Sequence, residues 1–346
     1  MSYLDPRAGQ NSGDDTSVPA PYAYGVPGET GSQAASAWHA GEDVPTSQMP
    51  VVPQEADKGK RGRRRAKGRG PKPVGRAGRN LPAAIGIGVG LVLVVLISLV
   101  IWPAAFLGVI AVAAVVGVYE MVRALRSAGA DAPLIPLVAG SLLMVGLAWR
   151  GGPDALLLGL LVTIAASVIW RIADGAAAFR RDLTASVLIA IYVPFLLSFG
   201  VLLQLPDADG DGRWRVLCTL LAVVLSDTGG YAVGVFFGKH KMAPSISPGK
   251  TWEGFAGSVV SAAAGSALLL HFLLAIPFYW GLLFGALISV VAVAGDLAES
   301  MLKRDLGIKD MSHLLPGHGG LMDRLDSILF AVPTAYLLFA LIGANT

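Results

Sequence analysis

From Leu81 onward the chain is a succession of apolar segments, each long enough to cross a membrane and separated by short polar turns. A hydrocarbon core about 30 Å thick takes roughly 17–25 helical residues. Inside lipid every backbone N–H and C=O needs a partner within the protein, which a helix supplies from its own chain. The pattern predicts an all-α polytopic membrane protein of about nine transmembrane helices. They fall over 82–101, 104–125, 134–150, 154–172, 183–204, 215–237, 253–275, 278–302 and 324–343. Trp102-Pro103 splits the first long run into a tight helical hairpin, because an interior proline removes a helix hydrogen bond. With 54% hydrophobic and 15% charged residues and a mean hydropathy of +0.61, an ordinary soluble domain is excluded.

The basic residues give the orientation. Eleven of the 27 Lys and Arg lie between Lys58 and Arg79, just before the first span. Arg123 and Arg126 follow the second span, Arg171, Arg180 and Arg181 the fourth, Lys239 and Lys241 the sixth, and Lys303 and Arg304 close the eighth. All fall on one side if the N-terminus is cytoplasmic, as the positive-inside rule requires. The acidic loop Asp207–Gly212 and the C-terminus then fall on the opposite side of the cell membrane. Residues 1–80 are rich in Gly, Pro, Ala, Ser and charge, which predicts a disordered cytoplasmic tail with its polybasic segment at 58–79. Residues 81–346 form the transmembrane domain. The basic run has no interleaved aromatic residues, so it suits anionic headgroups and no nucleic acid is expected. Cys218, the single cysteine, excludes an internal disulfide.

Two soluble motifs fail on inspection. The loop from Asp207 begins like a calcium-binding EF-hand, but its twelfth position is Cys218, where a bidentate Glu is needed. Pro248-Gly249-Lys250-Thr251 resembles the end of a P-loop, yet Pro244 occupies the required glycine position. A cationic, glycine-containing turn still suits phosphate through backbone N–H groups.

Polar residues placed beside hydrocarbon are costly and mark function. Asp296, Glu299, Ser300 and Lys303 recur at intervals of three and four, so they form a stripe on one helix face. Asp323 and Asp326 share a face at the start of the last span, directly after Pro316-Gly317-His318-Gly319-Gly320. Capping alone explains one of these aspartates. If Asp296 meets Asp323 across the helix interface, their oxygens make a hard site suited to Mg²⁺, with Asp326 adjacent. Ser226-Asp227-Thr228 places a further carboxylate in mid-span. Gly230, Gly234 and Gly238 read as close helix packing. Ser247, Lys250 and Thr251 lie in the loop that follows, on the same cytoplasmic face.

The pattern Ser300-x-x-Lys303-Arg304-x4-Lys309-Asp310-x5-Pro316-Gly317-His318-Gly319-Gly320-x-x-Asp323-Arg324-x-Asp326 resembles the signature of the phosphatidate cytidylyltransferase (CDP-diacylglycerol synthase) family. Ser226-Asp227-Thr228 and Ser247–Gly254 look like that family too. The resemblance covers roughly residues 140–345, with the basic tail outside it. It implies transfer of CMP from CTP to phosphatidic acid with Mg²⁺ and, in some members, K⁺, by a homodimer among membrane lipids. The nucleophile is a phosphate monoester, largely dianionic at neutral pH because its second pKa is about 6, so charge stabilisation outweighs any need for a base. Under this reading Asp296 and Asp323 are metal ligands, with Asp326 and Asp227 as further ligands or their supports. Lys303, Arg304, Lys309 and Arg324 neutralise phosphates, while Lys250, Ser247 and Thr251 meet the nucleotide. Glu299, Ser300 and Asp310 line the substrate site. His318 either donates to a phosphate or shapes the glycine turn. A CTP-dependent lipid kinase of the polyprenol type is the nearest alternative. A secondary transporter is the more distant one, since it should show repeated halves that are absent here.

Overall fold

The computed structural model describes residues 81–172, 176–205, 210–314 and 319–344. The expected tail over 1–80 and its polybasic segment lie outside the described residues, as do Asp207 and Asp209. The chain forms helices α1 (Leu81–Ile101), α2 (Pro103–Ser127), α3 (Leu134–Arg171), α4 (Ala176–Ala190), α5 (Leu196–Gln204), α6 (Gly212–Phe237), α7 (Trp252–Leu274), α8 (Phe278–Asp305) and α9 (Met322–Gly343). A π-helical turn, Ile191–Phe195, joins α4 to α5. Pro194 lies inside it, and its missing N–H accounts for the local break in the α ladder. Among the described residues seven helical spans are long and apolar enough to cross a membrane, and Gly88–Ile101 is a shorter apolar stretch. The protein is therefore a helical multi-pass membrane protein.

Trp102 is extended and Pro103 opens α2 at its first position, where the missing N–H costs nothing. Within α3 the chain reverses. Gly152 has φ 70° and ψ −157° and is followed by Pro153, a conformation that glycine reaches without the Cβ penalty. A Cβ at Gly140 would fall on Thr163, and one at Gly159 would lie 3.0 Å from Met144. In a straight helix residues 140 and 163 would be about 35 Å apart, so the two halves of α3 pack against each other as antiparallel limbs. An ion-pair brace closes their open end. Asp131, in the loop before α3, pairs with Arg171 at the end of α3 (2.7 Å) and with Arg126 of α2 (2.6 Å). Its backbone N–H donates to Asp182 of α4 at 2.8 Å. The hydrogen bond from Arg171, reinforced by Arg126, holds the Asp131 carboxyl below the usual carboxylate range.

The last four helices approach so closely that side chains barely separate them. A Cβ at Gly229 of α6 would overlap Ser261 of α7, and one at Gly257 of α7 would lie 2.5 Å from Val233 and 3.0 Å from the Gly229 carbonyl. Gly281 and Gly285 of α8 meet the α7 backbone at Ala267 and Ala262, and Gly295 meets Asp326 of α9. Helices in lipid gain little from hydrophobic exclusion and associate through such backbone contact and interhelical hydrogen bonds. The bond between Ser226 Oγ and Ser289 Oγ at 2.8 Å is one of these. The bundle core holds Phe284, Ile288, Leu329, Met121 and Leu197, while Val112, Leu161, Val260, Phe272 and Leu337 face outward, as lipid contact requires.

Between α6 and α7 the chain forms an antiparallel hairpin, β1 (Lys241–Ala243) and β2 (Ser247–Thr251), where the sequence had suggested a plain loop. Thr251 caps α7 by accepting the Gly254 N–H at 3.1 Å. Glu253 in the first turn accepts the backbone N–H groups of Lys239 and His240, both at 3.1 Å, and pairs with His240 Nδ1 at 2.6 Å. The hairpin is thereby fixed to the first turn of α7.

Candidate active site

A cleft of about 530 Å³ opens between α6, α7, α8 and the hairpin, lined by Asp227, Tyr231, Ser247, Lys250, Thr251 and Asp296 among others. Residues 227–258, from α6 through the hairpin to α7, meet Val293 and Asp296 of α8 here. The α6–α7 contact at Gly230, Gly234 and Gly254 forms part of the wall, and the absence of side chains there leaves the space open. Asp227 lies ten residues before the end of α6, or about 15 Å below it. Among the described residues its carboxylate has no hydrogen-bond partner, although it lies within electrostatic reach of Asp296 and Lys250.

Lys250, on β2, reaches across to α8. Its Nζ pairs with Asp296 Oδ2 at 2.8 Å and donates to the Val293 carbonyl at 3.3 Å. Ser300 Oγ donates to Asp296 Oδ1 at 3.2 Å. The stripe read from helical spacing is therefore continuous, but it divides into two environments. Asp296 faces the cleft. Glu299, three residues on, is fully buried, and among the described residues the Lys303 ammonium, 3.2 Å from Oε1, is the one polar group paired with it.

Lys303 is held between two carboxylates, with Asp323 Oδ1 at 2.8 Å. Asp323 Oδ2 accepts the backbone N–H groups of Met311 (2.9 Å) and Gly320 (2.8 Å). Asp296 and Asp323 thus each carry a lysine, one in the cleft and one behind it. Asp326 Oδ1 accepts the Ser327 N–H at 2.6 Å and lies within electrostatic reach of Asp296 and Asp227. Arg304 donates from Nε to the Ile246 carbonyl at 3.3 Å, joining α8 to the tip of the hairpin. Lys309 and Arg324 are exposed, and Asp310 lies beside Gly319. His318 lies outside the described residues.

Two polar groups at this end of the bundle escaped the sequence reading. Tyr192, on the π-helical turn, buries its hydroxyl without a hydrogen-bond partner among the described residues, within electrostatic reach of Glu299, Asp326 and Asp296. Glu120 of α2 is completely buried and accepts hydrogen bonds from the loop between α8 and α9. A carboxylate inside an apolar helix was the available signal for Glu120. For Tyr192 the only signal was a proline two residues on.

Among the described residues no three acidic, histidine or cysteine side chains converge closely enough to enclose a metal ion. Mg²⁺ does not require such a cage, since it keeps several waters and is held by one or two carboxylates together with substrate phosphates. Asp227 and Asp296, facing one cleft with hydroxyls nearby, fit that description.

The model of the cytidylyltransferase family matches residues 82–342. The phosphatidate cytidylyltransferase of Mycobacterium tuberculosis is 40% identical over 327 residues, covering 90% of this chain and 98% of the relative. That of Mycobacterium bovis is 44% identical over 280 residues, covering 77% and 90%. The Bacillus subtilis protein of the same name is 41% identical over 155 residues, covering 44% of this chain and 57% of the relative.

Proposed function

The chain belongs to the cytidylyltransferase family, and on that footing we propose that it transfers CMP from CTP to phosphatidic acid, giving CDP-diacylglycerol and pyrophosphate. The observation that carries this reading is the cleft in which Lys250, Asp227 and Asp296 face one another beneath a backbone-rich hairpin at one end of a membrane bundle. A phosphate oxygen of phosphatidic acid forms the new bond to the α-phosphorus. The bond from that phosphorus to the bridging oxygen breaks, and its electron pair leaves with pyrophosphate. Because the attacking phosphate is largely dianionic already, the residues need to offset charge and orient groups. Lys250 supplies a cation at the cleft wall, and Ser247 and Thr251 supply hydroxyls beside it. Asp227 and Asp296 would hold Mg²⁺, whose chemistry here is neutralisation of the triphosphate. Arg304 and Lys309 lie exposed at the same end, placed to draw in anionic nucleotide and headgroup.

The nine-crossing topology belongs to the same proposal. It counts α1, α2, both limbs of α3, the α4–α5 span, and α6 to α9. It puts the N-terminus and the cleft on the cytoplasmic side and Thr346 on the other, as the basic loops suggest. The decisive experiment supplies purified protein with CTP labelled at either the α- or the γ-phosphate. Label from the α position should enter the lipid. Entry of γ label would make the protein a lipid kinase, and entry of neither would overturn the reading.

A further inference from the structure

Glu120 lies about two hundred residues before the α8–α9 connection, yet it binds residues on both sides of it, Ser312 and Leu321–Met322. Its Oε1 accepts the Ser312 hydroxyl at 2.5 Å and the Leu321 N–H at 3.0 Å, and its Oε2 accepts the Met322 N–H at 2.8 Å, 202 residues away in sequence. A completely buried carboxylate is costly unless it accepts hydrogen bonds, and these three donors occupy most of its about four acceptor positions. The partners are not incidental. Leu321, at the head of α9, offers no capping side chain, and a helix start leaves N–H groups without intrahelical partners and a positive dipole end. Glu120 therefore serves as a cap supplied from another helix.

The fit is tight around it. A Cβ at Gly320 would lie 2.8–2.9 Å from the Glu120 carboxylate oxygens, so a side chain there would push the carboxylate out of place. One turn earlier on α2, a Cβ at Gly117 would lie 2.8 Å from Val193 and 3.0 Å from the Met322 sulfur. The α2 backbone thus rides directly on the start of α9. From the other side Asp323 Oδ2 takes the N–H groups of Met311 and Gly320. The two carboxylates between them accept from residues 311–312, after α8, and from residues 320–322, at the head of α9.

We propose that Glu120 is a positioning residue for the transfer reaction: from α2 it fixes Ser312 and the head of α9, and so the seat of α9 on α8, where the Asp326 backbone packs against Gly295 beside Asp296. This rests on the cytidylyltransferase reading, and it extends the working machinery to a helix whose remaining role is packing. Displacement of reacting groups by about 1 Å costs on the order of 100-fold in rate, so the expected losses are large.

The test uses full-length protein in detergent or nanodiscs, after wild-type protein has been shown to move α label from CTP into phosphatidic acid. Failure of that control refutes the function, and the results below then bear on Glu120 alone. Glu120→Gln keeps the size but turns an N–H₂ toward backbone donors. It should lower kcat about 10- to 100-fold while the protein remains folded by size-exclusion profile. Hydrogen exchange at Leu321 and Met322 should accelerate, with the α3 limbs unchanged. Glu120→Asp, which keeps the charge on a shorter stem, should recover part of kcat, and Ser312→Ala, which removes one donor, should cost less than Glu120→Gln. A Glu120→Gln protein with kcat within twofold of wild type, or with unchanged exchange at the head of α9, would overturn the proposal. So would equal losses in the Asp and Gln variants that track loss of folded protein.

Discussion

Replacing Lys303 by Met should destabilise the protein strongly, and the damage should be reversible by changing its neighbour. Lys303 Nζ lies 2.8 Å from Asp323 and 3.2 Å from Glu299, and the side chain is only 13% exposed, against 8% for Asp323 and 0% for Glu299. At such separations each contact amounts to about 5–6 kcal/mol of Coulomb energy even at an effective dielectric constant of 20, before desolvation is subtracted. Met fills the space of the alkyl stem but leaves two buried carboxylates facing each other. Removing one partner of a buried ion pair costs about 3–5 kcal/mol. The two carboxylates should not suffer equally. Asp323 retains two backbone N–H donors, whereas among the described residues the one polar group paired with Glu299 is Lys303 itself. Adding Glu299→Gln to Lys303→Met removes the stranded charge and should restore about half or more of the loss, a coupling within the range of about 0.5–3 kcal/mol seen for residues in contact. The measurement is a double-mutant cycle of unfolding free energies in detergent, alongside turnover per folded molecule. If Lys303→Met unfolds within about 1 kcal/mol of wild type, or the double variant is no more stable than the single one, the burial argument is wrong. If stability returns and turnover does not, Lys303 also faces substrate phosphate.

Two further outcomes follow from the cleft and its walls. Asp227→Asn and Asp296→Asn should each lower turnover at least about 100-fold and move the magnesium dependence to higher concentration, as a magnesium titration would show; normal turnover at ordinary magnesium would remove that residue from the site. Gly257→Val should force α6 from α7, because its Cβ would lie 2.5 Å from Val233. Overpacking costs about 1–3 kcal/mol, and the loss of activity should exceed the loss of folded protein, since the same helix pair walls the cleft.

Much of the fold was legible because membrane helices are governed by local rules. Hydrocarbon thickness sets their length, and Trp102-Pro103 stops α1 where a proline must. The stripe Asp296, Glu299, Ser300 and Lys303 follows from 3.6 residues per turn. The hairpin over 241–251 was less legible, because a short strand pair carrying Pro, Gly and Lys has no strong alternation to announce it. The reversal at Gly152 showed in the sequence as a gap between two apolar runs, although in space it is a left-handed residue joining packed limbs.

By itself, then, the sequence determined that this is a helical membrane protein with carboxylates and cations gathered beside the last two helices, since hydropathy and helical period are properties of neighbouring residues. Only the tertiary structure decided which charges meet. Lys250 answers Asp296, Lys303 sits between Glu299 and Asp323, and Glu120 of α2 caps α9. Such partnerships depend on which helix faces lie together and how deeply each group is buried. Those are set by glycine-to-backbone contacts between helices far apart in the chain, and no local periodicity encodes them.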